Sequence, residues 1–470
     1  MRILLINPPV RHYMFPIGLG YITSTLRDEK HNVSVLDIDG CMYPKETVRE
    51  KLKDYDFEAV GISGIITTYS YVKWLTSVIK KEYSVPIVAG GTGITSIPEL
   101  YLKRTDVDIA VIGEGENTTK EVFNALENSK NLKNVKGIAY REKGHIVQNP
   151  FRELIENLDK IPYPAWDMFP MEWYITHGVW PAEAEASRQM SILTTRGCPY
   201  RCKFCYHCFQ GLKPRFRSPD NIVNEMKILV EKYRAKFFNF ADDLFVLNRK
   251  RVLDLCEKIK KEGLDVKWGA PGRVNLVDRE LLKSMKSAGC VFIGYGIESG
   301  SQLILNNIDK QVTVGQAKNA IRLTREAGIY PDCSFMIGYP GETTATLRET
   351  IDFIKEMDLP LEGGFFFTTP YPSTSLWSDA KERGLIPDDE ALIMSYGEMS
   401  QKLLVNFTDF KDVELIALKK NAEREVYTYY LRRHPREELN KKIKSAIRYY
   451  QRYGLRKTIG AMRRGLSGYV

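Results

Sequence analysis

Several protein classes are excluded by what this chain lacks. It holds only six histidines and eight cysteines in 470 residues. A disulfide-stapled secreted scaffold spreads proportionately more cysteines through a much shorter chain, so that class is ruled out. No apolar run approaches the roughly 18 residues a membrane-spanning helix needs. The first apolar run, Ile3-Leu4-Leu5-Ile6, stops at Pro8-Pro9. It is too short for the core of a signal peptide and reads as a first strand. Hydrophobic residues make up 43% and charged residues 27%, near the globular average, which excludes disorder and collagen-like repetition. A soluble, cytoplasmic, multi-domain protein is expected.

Most of the chain also lacks charge imbalance. The formal charge is +9, yet residues 431–470 carry twelve Lys and Arg against only Glu437 and Glu438, a net +10. The preceding 430 residues therefore sum to −1. Basicity belongs to the tail alone.

What is present is an alternation of strand-like and helix-like segments. In residues 1–150, apolar runs at Arg2–Asn7, Val33–Asp37, Ala59–Ser63, Pro86–Ala89 and Asp108–Ile112 alternate with helical patterns, among them Gly18–Arg27 and Tyr69–Lys80. Strands buried on both faces with helices between them predict a doubly wound, Rossmann-type parallel sheet. A small hairpin is expected at Gly137–Tyr140 and His145–Gln148. Residues 151–190, with Ile161-Pro162-Tyr163-Pro164-Ala165-Trp166, read as an extended linker. A second βα series occupies 191–380, with strands near Ile192–Thr195, Phe237–Phe240, Lys267–Gly269, Phe292–Gly296, Tyr330–Ile337 and Gly364–Thr368. Six repeats are too few for a closed eight-fold barrel and predict an open (βα)6 partial barrel. Residues 381–470 are expected to be helical.

Four of the eight cysteines lie within eleven residues. Cys198, Cys202 and Cys205, in Cys198-Pro199-Tyr200-Arg201-Cys202-Lys203-Phe204-Cys205, are spaced C-x3-C-x2-C directly after a predicted strand. Three thiolates on a short loop ligate three irons of a [4Fe–4S] cluster and leave the fourth iron open to a substrate or cofactor. Structural zinc loops are built from paired C-x2-C knuckles, which the x3 gap does not match. Cys208 is either a fourth ligand or a spare thiol beside the site. Cys41, Cys256, Cys290 and Cys333 read as packing residues.

Further segments stand at predicted strand ends, where a partial barrel places its site. They are Phe240-Ala241-Asp242-Asp243, Gly294-Tyr295-Gly296-Ile297-Glu298, Ser334-Phe335-Met336-Ile337-Gly338-Tyr339-Pro340-Gly341-Glu342 and Pro370-Tyr371-Pro372. Two adjacent carboxylates are costly inside a fold, so Asp242 and Asp243 are expected to face a polar site or solvent. Together with the cysteine loop, these segments resemble the radical S-adenosylmethionine (SAM) superfamily, and in particular its cobalamin-associated members. The resemblance implies that Cys198, Cys202 and Cys205 hold the cluster and that Phe204 packs near the SAM adenine. It makes Asp242, Asp243, Glu298 and Ser334 candidate contacts to the amino, carboxylate or ribose groups of SAM.

Open parallel sheets bind ligands beyond the carboxyl ends of their strands. Here those ends offer Asn7, Ser63, Gly90, Gly91, Thr95 and Glu114 as candidate contacts, with glycines that let backbone approach a large flat ligand. No G-x-G-x-x-G follows the first strand, which argues against a dinucleotide. The segment order resembles the B12-binding domain that precedes the radical SAM barrel in a large family, and the resemblance spans about residues 1–380. Two departures are visible. None of the six histidines sits in the D-x-H-x-x-G loop whose His coordinates cobalt, and Gly90-Gly91-Thr92-Gly93 stands where relatives often carry Gly-Gly-Pro-His. A domain that has lost cobalamin is the alternative.

In the tail, Leu439, Ile443, Ile447 and Tyr450 recur at helical spacing amid Lys and Arg, as do Leu455, Ile459, Met462 and Leu466. Basic amphipathic helices lie on anionic membrane surfaces. A helical cap with a solvated charged face is the bland alternative, and RNA binding the least favoured.

The resemblance implies reductive cleavage of SAM to a 5′-deoxyadenosyl radical and cobalamin-dependent methyl transfer to an unactivated carbon of a lipid or other small organic substrate. A one-electron reductant such as flavodoxin or ferredoxin is the implied partner. The rival outcomes are radical cyclisation or C–C bond formation, and tRNA modification.

Overall fold

The structure is a computed structural model that describes residues 1–10, 14–177, 188–207, 213–361, 363–396 and 401–436. Cys208 and residues 437–470, which carry the amphipathic repeats of the tail, lie outside the described residues.

The N-terminal sheet has seven strands: β1 (Arg2–Asn7), β2 (Asn32–Asp37), β3 (Ala59–Ser63), β4 (Ile87–Gly90), β5 (Ile109–Val111), β6 (Ile138–Glu142) and β7 (His145–Gln148). Their order is β2-β1-β3-β4-β5-β6-β7, the first five parallel and the last two forming the expected antiparallel hairpin on one edge. β1 shows why this sheet is covered on both sides. Ile3 and Leu5 join one apolar cluster with Leu19, Leu26, Val122 and Phe123, while Leu4 and Ile6 join a second with Val72, Leu75 and Ile79. Helices Ile17–Asp28 and Gly115–Glu127 thus cover one face and Tyr69–Glu82 the other.

The second sheet is an open half-barrel of six parallel strands: β8 (Gln189–Ile192), β11 (Phe237–Phe240), β12 (Lys267–Gly272), β13 (Cys290–Glu298), β14 (Tyr330–Ile337) and β15 (Phe365–Phe367). Between β8 and β11 lies a two-stranded ribbon of β9 (Thr195–Arg196) and β10 (Arg215–Phe216). The sequence predicts one strand over Ile192–Thr195; the structure ends it at Ile192. The backbone N–H groups of Thr194 and Thr195 donate to Asp242 Oδ1, at 2.5 and 2.9 Å, instead of continuing the ladder.

The linker is more structured than its prolines suggest. It contains the helix Met171–His177, whose Tyr174 is buried against the N-terminal domain. The C-terminal helix Asp412–Arg433 packs on helix Thr344–Glu356 and covers the open edge of the half-barrel, with Glu423 Oε1 accepting from Phe365 N–H of edge strand β15 at 3.0 Å. Helix Asp389–Met394 returns to the N-terminal domain, where Tyr69 donates to Glu390 at 2.8 Å. Among the described residues, no helix is long and apolar enough to cross a membrane.

Candidate active site

The cysteine loop is pinned from three sides. Gly197, at φ +89°, donates its N–H to Asp243 Oδ2 at 2.8 Å. Lys203 N–H donates to Ile308 O at 2.9 Å, and Leu376 N–H donates to Lys203 O at 3.0 Å. So held, Cys198, Cys202 and Cys205 share a cavity of about 250 Å³ with Tyr200, Asp243, Gly272, Arg273, Gly294, Gly296 and Lys310. Asp243, Gly272 and Arg273 stand at or just beyond the carboxyl ends of β11 and β12, where parallel barrels place their chemistry, and Gly294 and Gly296 lie along β13.

Two buried cations face the thiols. Lys310 Nζ lies 2.8 Å from Glu298 Oε1 and 5.8 Å from the Phe204 ring centre. The Arg273 guanidinium stacks 3.5 Å above the Tyr200 ring and donates to the Lys310 carbonyl. The Cys205 thiol hydrogen-bonds to Cys202, a contact that lowers the Cys202 pKa, with Lys310 and Arg273 acting in the same direction; the same contact, together with burial, raises that of Cys205. Burial pushes Cys198 up. Three sulfurs beside two fixed positive charges form a donor set suited to a thiolate-bound cluster. Among the described residues, no three His, Cys, Asp or Glu side chains converge on a single metal ion. Gly294 opens onto the cavity with no atom within 4 Å of where a Cβ would stand, which leaves a bare backbone surface for a bound molecule.

The expected SAM contacts divide. Asp243 lines the cavity. Asp242 does not: it is buried, accepts from Thr194 and Thr195, and faces the Arg251 charge, so it closes the turn after β8 rather than meeting a ligand. The expectation that both carboxylates face a polar site or solvent is corrected by that turn, whose N–H groups satisfy Asp242. Glu298 is 8% exposed and paired with Lys310, which lines the cavity in its place. Ser334 is half-buried on β14, in register with the cavity-lining Gly296. Phe204 is half-buried beneath Lys310.

In the N-terminal domain, most of the expected contacts are engaged within the protein. Asn7 Nδ2 donates to Asp37 Oδ1 at 2.8 Å, and Tyr174 OH donates to the other Asp37 oxygen at 2.7 Å, a closed network beneath the linker helix. Gly91 adopts φ +107°, and a Cβ there would lie 2.6 Å from the Gly64 carbonyl oxygen. The close approach that requires glycine is therefore between two loops of this chain, not toward a ligand. Thr95 Oγ1 accepts from Gly113 N–H at 3.1 Å. Glu114 is buried and ion-paired with Arg196 and Arg215, at 2.8 and 2.7 Å, so it joins the two domains rather than facing a corrinoid. Ser63 and Gly90, both half-buried and paired in register, remain at the strand ends.

Sequence reasoning missed Arg273, Lys310, Tyr200 and His207, all of which line the cavity. It also missed Arg196 and Glu116, a buried pair at 2.5 Å. Burial opposes ionisation of Glu116, but Arg196 overrides it and holds the carboxyl below the usual range.

Residues 192–354 match the Radical SAM superfamily and residues 3–123 the B12 binding domain. The chain is 36% identical over 398 residues to an uncharacterized methyltransferase of Pyrococcus horikoshii, covering 82% of this chain and 84% of that one. It is 29% identical over 439 residues to an anaerobic magnesium-protoporphyrin IX monomethyl ester cyclase of Rubrivivax gelatinosus, covering 87% and 77%. In fold it is similar to the radical SAM methyltransferase TsrM from Kitasatospora setae, solved with cobalamin and a [4Fe-4S] cluster bound. That match has a TM-score of 0.70 at 19% identity and covers 91% of this chain and 88% of that one.

Proposed function

Because the chain belongs to the radical SAM superfamily, with a B12-binding domain ahead of its half-barrel, we propose that it transfers a methyl group to an unactivated carbon of a small organic or lipid substrate. The observation that carries this reading is the single cavity in which three loop cysteines meet Asp243, Arg273 and Lys310. When bound, a reduced [4Fe–4S] cluster supplies the electron that cleaves SAM, and cobalamin supplies the methyl group.

The protein's own residues hold and orient. Cys198, Cys202 and Cys205 ligate three irons. Lys310 and Arg273 offset the negative charge of a thiolate-bound cluster in a partly desolvated site, and present donors to the carboxylate of SAM. Asp243 accepts from the SAM ammonium while anchoring Gly197. Ser334 and the backbone at Gly294 and Gly296 border the ribose, Glu298 acts by fixing Lys310, and Phe204 packs toward the adenine. Ser63 and Gly90 border the corrin. A flavodoxin- or ferredoxin-type protein delivers the electron.

The experiment is anaerobic purification and reconstitution with iron, sulfide and hydroxocobalamin, followed by assay for 5′-deoxyadenosine. Wild type is expected to take up one cluster and one cobalamin per chain and to cleave SAM. Cys198→Ala, Cys202→Ala and Cys205→Ala are expected to lose the cluster and the cleavage, and Cys208→Ala to keep both. Iron retained without any 5′-deoxyadenosine would sink the assignment. A cyclase of the kind seen in the Rubrivivax relative is the rival, and product mass separates the two: methylation adds one methyl group, cyclisation removes hydrogens.

The +10 tail supports a second element of this reading, peripheral attachment to an anionic membrane from which a lipid substrate is drawn. Flotation with anionic liposomes is expected for the full chain and lost on truncation after residue 430; equal flotation refutes it.

A further inference from the structure

Two elements could have met through apolar packing alone, yet where the first turn of helix Gly115–Glu127 meets the ribbon that leads into the cysteine loop the contact is made of buried charge. Glu114 precedes helix Gly115–Glu127 and Glu116 lies in its first turn, at the carboxyl end of β5. Arg196 closes β9, two residues before Cys198. Its Nη1 donates to Glu114 Oε1 at 2.8 Å and its Nη2 to Glu116 Oε1 at 2.5 Å. All three side chains are at most 8% exposed. On its N-terminal side the contact continues from Gly113 to Thr95, which ties it to the loop after β4. On its barrel side it continues through Gly197, whose N–H is fixed by Asp243. An unbroken chain of directional bonds thus runs from the carboxyl edge of the B12-binding domain to the first cluster cysteine.

We propose that Arg196 is a positioning residue that sets the distance between the cluster and the corrin by bridging Glu114 and Glu116. The inference rests on the cobalamin-dependent reading above. A planar guanidinium holding two carboxylates fixes orientation as well as separation, which a point charge does not. Radical generation and methyl delivery must act on one substrate atom, and a displacement near 1 Å lowers such rates by about a hundredfold.

The test is pulsed EPR on the full chain reconstituted with iron, sulfide and hydroxocobalamin. Reduction leaves cob(II)alamin and the cluster both paramagnetic, so that their separation is read directly. Arg196→Lys reaches only one carboxylate, and Glu116→Gln keeps the shape while removing the charge. Both are expected to retain iron and cobalamin but to widen the cobalt–cluster distance distribution about twofold. Tyr295→Phe is the comparison: it removes the buried Tyr295–Thr324 hydrogen bond, which joins β13 to helix Val314–Glu326 within the barrel. It is expected to lower the unfolding midpoint and leave the distance unchanged. Wild-type protein that takes up iron but no cobalamin overturns the functional reading, and this inference with it. Both cofactors bound and the same distance in R196K and E116Q overturns the inference alone. Equal broadening in Y295F, or loss of iron confined to R196K and E116Q, also overturns it, because the contact would then serve folding or cluster assembly.

Discussion

Gly90 and Gly91 are adjacent and chemically identical, yet the structure assigns them opposite tolerance to a methyl group. Gly91 sits at φ +107°, ψ 179°, a region closed to other residues at a cost of about 1–3 kcal/mol. A Cβ there would stand 2.6 Å from Gly64 O and 3.1 Å from Gly64 N. Relief requires the loop after β3 to move, which strains the Gly64 N–H to Gly90 O bond at 2.8 Å and the Gly93 N–H to Gly64 O bond at 3.0 Å. Each such bond contributes about 1 kcal/mol. Gly91→Ala is therefore expected to destabilise the N-terminal domain by about 3–5 kcal/mol in total. At Gly90 the added carbon would meet the Val111 side chain, at 3.4 Å and beyond, and Gly90→Ala is expected to change stability by less than about 1 kcal/mol. Urea unfolding of the cobalamin-free chain, followed by far-UV circular dichroism, reads the difference. With a slope on the order of 2 kcal/mol per M, the first midpoint of G91A is expected to fall about 2 M below that of G90A. If the two variants unfold together without cobalamin and separate only when it is added, Gly91 serves ligand approach and the loop-closure account is wrong.

Lys310→Met leaves Glu298 buried without its cation and is expected to cost about 3–5 kcal/mol, read by thermal unfolding. Adding Glu298→Gln is expected to restore most of that stability while SAM affinity, measured by equilibrium dialysis on the reconstituted protein, stays about tenfold weaker; recovery of both would show that Lys310 only balances Glu298. Burial pushes the Glu342 carboxyl up to about 7, against the opposing backbone N–H bonds from Gly338 and Tyr339. A raised carboxyl pKa means that stability is fully present below the unfolded value near 4.5 and is lost as pH rises through about 7. Wild type is accordingly expected to lose about 3 kcal/mol between pH 4.5 and 8, and Glu342→Gln to flatten that slope in urea midpoints. An equal slope in both would place the titration elsewhere.

Local patterns made much of this protein legible. The apolar runs at β1, β3 and β11 announce strands buried on both faces, and the C-x3-C-x2-C spacing announces a cluster loop, because each signal is complete within about ten residues. Asp243, which lines the cavity just beyond β11, is legible for the same reason. Its neighbour Asp242 was misjudged because the N–H groups that satisfy it belong to a turn 48 residues earlier. Glu114 reads as a ligand contact in the sequence because its partner Arg196 lies 82 residues away, across a domain boundary. Arg273 and Lys310 carry no motif; they reach the thiols only when the half-barrel brings the loop after β12 beside the segment following helix Gln302–Asn307.

The two αβ domains, their order and the spacing of the three loop cysteines are written in the chain itself, since periodicity and motif spacing act over short stretches. Which polar groups at the strand ends line the cavity and which neutralise one another is set by the folded structure. A buried charge must be paired, and the partner that pairs it is chosen by proximity in space, which distance along the chain does not encode.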